Sequence, residues 1–257
     1  METTVAVDSI ARITRDTDAR ELATRVYDRM LELLEQLQPE DWQARTECPA
    51  WDVADMVGHL IGAAKGHASR REFLRQQVWA ARHRGEHDGN RLDAMNALQV
   101  ADHDHLTPLE RVAALRRIAP AAVEGRMNLP GLLRRAKVAM DPGGSTAAGM
   151  PPKITLGNLM DAILTRDVWL HRIDIARAVG RGLDVDPAVD GRVVADVVAE
   201  WAGRHSEPFE LELTGPAGGR FRRGSGGEHI EMDAIEFARA LSGRAHGAGL
   251  LGIRVVF

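Results

Sequence analysis

The chain has one cysteine, Cys48, in 257 residues. No intrachain disulfide can form, which excludes a disulfide-stapled scaffold and fits a reducing cytoplasm. Long hydrophobic runs are also missing. No uninterrupted apolar stretch approaches the roughly 18–20 residues needed to span a bilayer, so no membrane partner is expected. The first twenty residues, METTVAVDSIARITRDTDAR, lack the basic start and apolar segment of a signal peptide. Neither sign of charge dominates. Lys+Arg number 33 and Asp+Glu 37, for a net charge of −4. That balance gives no argument for a nucleic-acid partner. No internal repeat and no low-complexity tract is present. What remains is 44% hydrophobic and 27% charged, long enough for one large domain or two moderate ones.

The most informative stretch is LMDAILTRDVWLHRIDIARAVG, residues 159–180. At about 100° per residue, Leu156, Met160, Ile163, Leu164, Asp167, His171, Asp174 and Ala178 share one helix face. Its aliphatic first half marks that face as buried. The second half then puts a carboxylate, an imidazole and another carboxylate in the interior. Asp167 and His171 stand four residues apart and point at one spot. A buried carboxylate needs a cation, a hydrogen-bond donor or a metal. Pairing with each other, or with an arginine of another helix, meets that need as well as a metal does.

Upstream, TDARELATRVYDRMLELLEQL, residues 17–37, gives an amphipathic helix with Leu22, Val26, Met30, Leu33 and Leu37 on its apolar face. The loop over 38–52 holds two tryptophans and two prolines and reads as packed down. Asp52, with Asp55 three residues on, caps a second helix. Val53, Val57, Leu60, Ile61 and Ala64 form its stripe, and His59 lies at the stripe's edge. His83 and His87 have metal-pair spacing, as does the run Asp102-His103-Asp104-His105, but their polar surroundings favour exposure. Thr107-Pro108-Leu109-Glu110 is a capping box with proline at N1, and its helix is expected to end near Pro120. Residues 125–153 are broken by Gly and Pro, a long connection of the kind that forms lids or pocket walls. Gly180 closes the helix of 159–180.

Asp186-Pro187 starts a further helix, anchored by Val193, Val194, Val197, Val198 and Trp201. From 207 the hydrophobic period changes to two. FELELTG (209–215), GRFRRG and HIEM read as strands, DAIEFARALSGR (233–244) as a helix and LLGIRVVF as a closing strand. Helices near 17–37, 52–80, 91–119 and 154–180 make an antiparallel four-helix bundle. The fold class is therefore α+β, with a helical bundle over 1–182 and a smaller α/β domain over 183–257. In such a bundle His59 can face Asp167 and His171. Two nitrogens and one oxygen suit zinc, with nickel or iron as alternatives. Three protein ligands leave a coordination position open, the mark of a catalytic site. Asp174, one turn on, can hold a ligand histidine or a bound water.

Two segments carry a resemblance. Thr46-Glu47-Cys48-Pro49-Ala50-Trp51-Asp52-Val53, followed by Asp55-Met56-Val57-Gly58-His59-Leu60, resembles the signature opening the metal-binding domain of the mycothiol-dependent maleylpyruvate isomerase family. That family belongs to the wider DinB-like four-helix-bundle superfamily. Asp167-Val168-Trp169-Leu170-His171-Arg172-Ile173-Asp174 resembles the family's second signature, and order, spacing and helix face agree over about residues 15–182. The resemblance implies His59, Asp167 and His171 as metal ligands. Where the isomerase typically has Glu, this chain has Asp167, one methylene shorter. The C-terminal part is similar to the family's sterol-carrier-like domain, with Ala240-Leu241-Ser242-Gly243-Arg244 matching a short helix-ending signature. Arg244 is then the candidate for an active-site arginine, although an arginine on the negative end of its own helix is an equal reading.

The implied chemistry is activation of a low-molecular-weight thiol, mycothiol or a similar one, at a divalent metal. The thiolate adds to a small electrophile and either leaves after bond rotation or is transferred. Asp174 orients a group or accepts a proton, and Arg244 stabilises carboxylate or enolate charge. Cys48, beside Pro49 and Trp51, reads as a buried packing residue. The expected state is a cytoplasmic monomer or homodimer. Two other classes stay open: a non-enzymatic protein binding a small apolar ligand, and a thiol-independent metallohydrolase using a metal-bound water.

Overall fold

The computed structural model describes residues 3–139 and 153–257. The expected connection over 125–153 therefore lies largely outside the described residues. In order come β1 (Val5–Ala6), α1 (Ala19–Leu34), α2 (Val53–Ala68), α3 (Arg70–His83), α4 (Arg91–Ala101), α5 (Pro108–Met127) and α6 (Gly131–Arg134). After them come β2 (Lys137–Ala139), β3 (Lys153–Thr155), α7 (Leu156–Asn158), a π-helical turn (Leu159–Ile163) and α8 (Leu164–Ala178). The chain ends with α9 (Asp190–His205), β4 (Phe209–Thr214), β5 (Gly219–Arg223), β6 (Glu228–Asp233), α10 (Ala234–Ser242) and a 3₁₀ turn (Gly249–Gly252). The architecture is α+β. No helix among the described residues is long and apolar enough to cross a membrane.

Helices α1, α2, α5 and α8 pack as the bundle, and α3 and α4 fold back beside α2. Two expected helices are thus each divided. The 52–80 helix breaks at Ser69, whose extended backbone (φ −135°, ψ 119°) ends α2 and whose hydroxyl caps α3 by accepting from the Glu72 amide. The 91–119 helix is interrupted between Ala101 and Pro108, and Thr107, preceding proline, is extended (φ −67°, ψ 160°) and caps α5. The expected stop at Pro120 is also corrected, since α5 runs on to Met127. Pro120 is exposed, so the missing amide bond falls on the solvent side of α5, where water can meet the freed carbonyl.

Close approach of α4 to α2 depends on Gly62. A Cβ there would lie 2.6 Å from Gln99 Cβ, a contact real side chains do not make. On the long helix, the π turn adds residues to one turn and shifts the phase of what precedes it. Leu156, Met160 and Leu164 are consequently only half-buried, whereas Asp161, outside the expected face, is buried and paired with Arg134. Gly180 (φ 65°) closes the helix as expected, with the Arg181 amide donating to the Ala176 carbonyl at 2.9 Å.

The sheet has strand order β1-β5-β4-β6. β4 pairs antiparallel with β5 and parallel with β6, with Leu211 opposite both Phe221 and Ile230. Phe209, Leu211 and Leu213 alternate inward, at 0%, 2% and 3% exposure. The N-terminal edge strand β1 joins the sheet from ahead of the bundle. The closing segment LLGIRVVF is corrected: it forms the 3₁₀ turn and then an irregular run. There the Val255 amide donates to the Leu241 carbonyl at the end of α10 instead of entering a strand ladder. Helix α8 is covered on both sides. Its second face binds α9, where Arg166 pairs with Asp196 (2.5 Å) and Glu200 (2.8 Å), and Trp169 Nε1 donates to Asp190 (2.6 Å).

Candidate metal centre

His59 comes from the middle of α2, and Asp167 and His171 from successive turns of α8. One ligand atom from each lies within 4.8 Å of the others. His59 Nε2 is 3.8 Å from Asp167 Oδ2, and His171 Nε2 is 3.4 Å from Asp167 Oδ1. Tetrahedral ligands held about 2.1 Å from one ion stand roughly 3.4 Å apart, so the trio has the dimensions of such a site. His59 is 7% exposed and His171 5%, which places His59 inside the bundle rather than at a stripe edge. Trp51 stacks on the His59 ring at 4.9 Å between centroids.

The far side of each imidazole is held. His59 Nδ1 is 2.8 Å from Gln99 Oε1, and His171 Nδ1 is 3.0 Å from Asp174 Oδ2. An acceptor at each Nδ1 favours the Nδ1–H tautomer and turns both Nε2 lone pairs toward Asp167. The orientation of Gln99 follows from its neighbours. Gln99 Nε2 donates to Gln76 Oε1 (2.9 Å), and Gln76 Nε2 donates to the Gly62 carbonyl (2.9 Å). A relay through α4 and α3 thus fixes a histidine on α2. Asp174 is fully buried, and Arg244 donates to it from both Nε and Nη2 at 2.7 Å.

The electrostatics suit a cation. Burial pushes the Asp167 carboxyl up, but the facing His171 and His59 outweigh it and hold the carboxyl well below its usual range. Burial likewise works against charge on His171, yet Asp167 and then Asp174 raise it to about 9. In such an arrangement a proton and a divalent cation would compete for the same place.

Cys48 packs against the main core, as expected of a packing residue, but is not fully buried. Its Sγ lies 3.9 Å from Arg244 Nη2, and it forms a second cluster with His171 and Asp174. That cluster is a poor cation site, because the Arg244 guanidinium already occupies the Asp174 carboxylate. Burial, reinforced by Asp174, pushes the Cys48 thiol up to about 11. His103 corrects another expectation. It is 1% exposed, with Nδ1 2.7 Å from the Gln99 carbonyl and Nε2 2.6 Å from Lys65 Nζ. His83 ends α3, His87 ends the 3₁₀ turn that follows it (Arg84–His87), and neither belongs to either cluster.

Gln99, Gln76 and Glu47 were not legible as site residues. Glu47 joins Arg239 of α10 (2.5 Å) and Arg177 of α8 (3.3 Å), tying the loop before α2 to the C-terminal part. Nothing in their local sequence marks the glutamines, and Gly62, whose missing Cβ admits Gln99, was the one available signal.

Fold and site together define an α+β protein in which a four-helix bundle buries a His–Asp–His trio against an arginine from the C-terminal part. The sequence profile of the mycothiol maleylpyruvate isomerase N-terminal domain matches residues 23–176, and the chain belongs to that family. Two solved structures share the architecture. The crystal structure of the mycothiol-dependent maleylpyruvate isomerase is 13% identical with a TM-score of 0.55, covering 94% of this chain and 93% of that one. A histidine-to-alanine mutant of that isomerase is 14% identical with a TM-score of 0.53, over the same shares. At these identities the likeness speaks for the fold alone. No curated protein sequence matches the chain.

Proposed function

We propose that this chain is a divalent-metal-dependent enzyme that activates a low-molecular-weight thiol, mycothiol or a relative, for attack on a small electrophile. Isomerisation or S-transfer is the outcome. The observation that carries this reading is the pair of imidazoles anchored through Nδ1 with both Nε2 atoms turned onto one carboxylate. His59, Asp167 and His171 would hold the ion, zinc by the chemistry of two nitrogens and one oxygen. The shorter Asp167 side chain reaches both imidazoles. A divalent ion bound there supplies thiolate at neutral pH by lowering the pKa of a thiol.

The remaining groups act on position and charge. Asp174 has Oδ1 committed to Arg244 and Oδ2 to both Arg244 and His171, which favours orienting His171 over accepting a proton. Arg244 sets Asp174 and adds positive charge where an electrophile's developing negative charge would lie. Cys48 stays a thiol and does not compete as nucleophile. Trp51 covers His59 and shields that side from water.

The test is metal content of the purified protein and of His59→Ala and His171→Ala, followed by thiol addition to an activated alkene. About one zinc per chain, lost in both folded variants together with thiol-dependent turnover, is expected. A parent protein that takes up no metal from excess zinc overturns the proposal. Full turnover without added thiol redirects it to hydrolysis.

A further inference from the structure

Of the run Asp102-His103-Asp104-His105, only His103 is buried. It belongs to neither cluster able to hold an ion. Its Nδ1 is 2.7 Å from the Gln99 carbonyl, and a carbonyl can only accept, so Nδ1 carries the proton. The lone pair of Nε2 then faces Lys65 Nζ of α2 at 2.6 Å. Burial, with the Lys65 charge adding to it, lowers the His103 pKa in spite of the bond to Gln99. The ring is neutral and the lysine is the donor. A half-buried ammonium ordinarily meets a carboxylate. Lys65 is half-buried and meets a neutral ring, which fixes its position without cancelling its charge.

Lys65 and His103 line a cavity of about 300 Å³ where α2, the turn after α4 and α5 meet. That volume is at the lower end of small-molecule sites, roughly 300–1,000 Å³. Leu106, Ala113 and Ala114 give the cavity an apolar wall, and Arg117 stands on its α5 side. Arg117 has no ion pair or hydrogen bond among the described residues. The carboxylates nearby are engaged elsewhere. Glu110, also on the wall, accepts from the Thr107 amide (2.8 Å) and hydroxyl (2.7 Å) in the cap of α5. Asp102 is held by Arg75, and Glu72 by Arg75 and Gln76. Asp104 is exposed, with its carboxylate 3.9 Å from His105 Nδ1. Two cations without carboxylate partners and one committed carboxylate leave the cavity positive.

We propose that Lys65, positioned by His103, forms with Arg117 a binding site for a phosphate group, separate from the His–Asp–His trio. The ammonium supplies a compact charge and the Arg117 fork two parallel donors, a combination that phosphate oxygens match. A phosphate dianion balances two cations, which a single carboxylate does not. The apolar wall has room for a small organic group, so the ligand is free phosphate or a small phosphate monoester.

The test is calorimetric titration of sodium phosphate and of phenyl phosphate into the protein at constant ionic strength. The parent is expected to bind phosphate saturably. Lys65→Met and Arg117→Gln should each weaken it at least tenfold, the loss of one charge-assisted contact. Arg82→Gln, an exposed arginine of α3 outside the cavity, and His171→Ala should stay within twofold of the parent. His103→Gln, which keeps an acceptor for Lys65, should retain more affinity than His103→Leu, and equal affinity in the two overturns the positioning role. Tighter binding of phenyl phosphate than of phosphate supports the site with a monoester as its ligand, and equal binding supports it with free phosphate. No saturable phosphate binding by the parent, unchanged affinity in Arg117→Gln, or an equal loss in Arg82→Gln each overturns the site. Binding lost in His171→Ala and kept in Lys65→Met assigns the phosphate to the trio and overturns it as well. Arg117 is exposed, so its variant decides even if Lys65→Met does not fold.

Discussion

Gln99→Met tests whether the relay behind His59 is part of the metal site. Methionine keeps the length and bulk of glutamine but cannot accept the bond that Gln99 Oε1 receives from His59 Nδ1 at 2.8 Å. The imidazole is then free to rotate or to place its proton on Nε2, which removes the lone pair facing Asp167. Loss of such an outer partner typically weakens metal binding about 10–100-fold, equal to roughly 1.4–2.7 kcal/mol. The substitution also orphans Gln76 Oε1, now satisfied by Gln99 Nε2, and costs about 1–3 kcal/mol of folding stability. Zinc affinity by competition with a chromophoric chelator, beside urea unfolding of the metal-free protein, separates the two effects. Gln76→Met is the graded control. It leaves the Gln99 acceptor in place but unfixed, so its affinity loss should be smaller than that of Gln99→Met. A folded Gln99→Met protein binding zinc within twofold of the parent would refute the reasoning.

Asp196 and Glu200 predict an acid limit to stability. Burial raises both carboxyls, but Arg166, helped by Arg12 and Arg204, outweighs it and holds them below their usual values. A depressed folded pKa gives stability that is present above the unfolded values of about 3.9 and 4.3 and lost as pH falls through the folded ones. Tm should therefore hold from neutral pH to about 5 and fall steeply below about 4, and Asp196→Asn should flatten that limb. An unchanged acid limb in Asp196→Asn counts against this assignment. Arg244→Met leaves the fully buried Asp174 without its bidentate partner and should cost about 3 kcal/mol in urea unfolding, with Arg244→Lys retaining part of it. Cys48, with its thiol near 11, should alkylate at pH 7.5 roughly 300-fold more slowly than an ordinary cysteine, and Cys48→Ser should leave zinc affinity unchanged. Rapid labelling in the folded state would contradict the raised value.

The side-chain placements in the candidate site that the sequence made legible are those encoded by local periodicity. Asp167 and His171 are one turn apart on one helix, and any helix over that stretch puts them together. Asp52 caps α2 as expected, and with Asp55 it closes a reciprocal capping box with bonds of 2.9 and 3.2 Å, which sets the phase that aims His59 inward. What escaped was set by packing between elements distant in sequence. Gln99 reaches His59 across 40 positions, and Lys65 reaches His103 across 38. The burial of Asp161 depends on a π turn that no residue pattern announced. Proline at 120 misled for a related reason. A proline stops a helix only when the freed carbonyl has no other partner, and solvent on the exposed side of α5 supplies one.

Helix α8 explains why the legible and illegible parts meet at one place. A helix at the surface of a bundle needs one apolar stripe, and its charges then face water. α8 lies between the bundle and the C-terminal part, so charges on both faces must be matched. Toward α9 it offers Arg166 and Arg172, each answered by a buried carboxylate. Toward α2 it offers Asp167, His171 and Asp174, where Arg244 answers only Asp174. Within the trio, the lowered Asp167 carboxyl faces the raised His171 imidazole. On the α2 side the match to Asp167 comes from imidazoles alone, the arrangement that the proposed metal site would use. Replacing the trio by a matched apolar set, His59→Leu, Asp167→Leu and His171→Leu together, should accordingly raise the stability of metal-free protein, as apolar replacement of buried ions often does, by about 1–4 kcal/mol. Urea unfolding measures it. A triple variant less stable than the metal-free parent would show that these residues serve the fold before they serve a ligand.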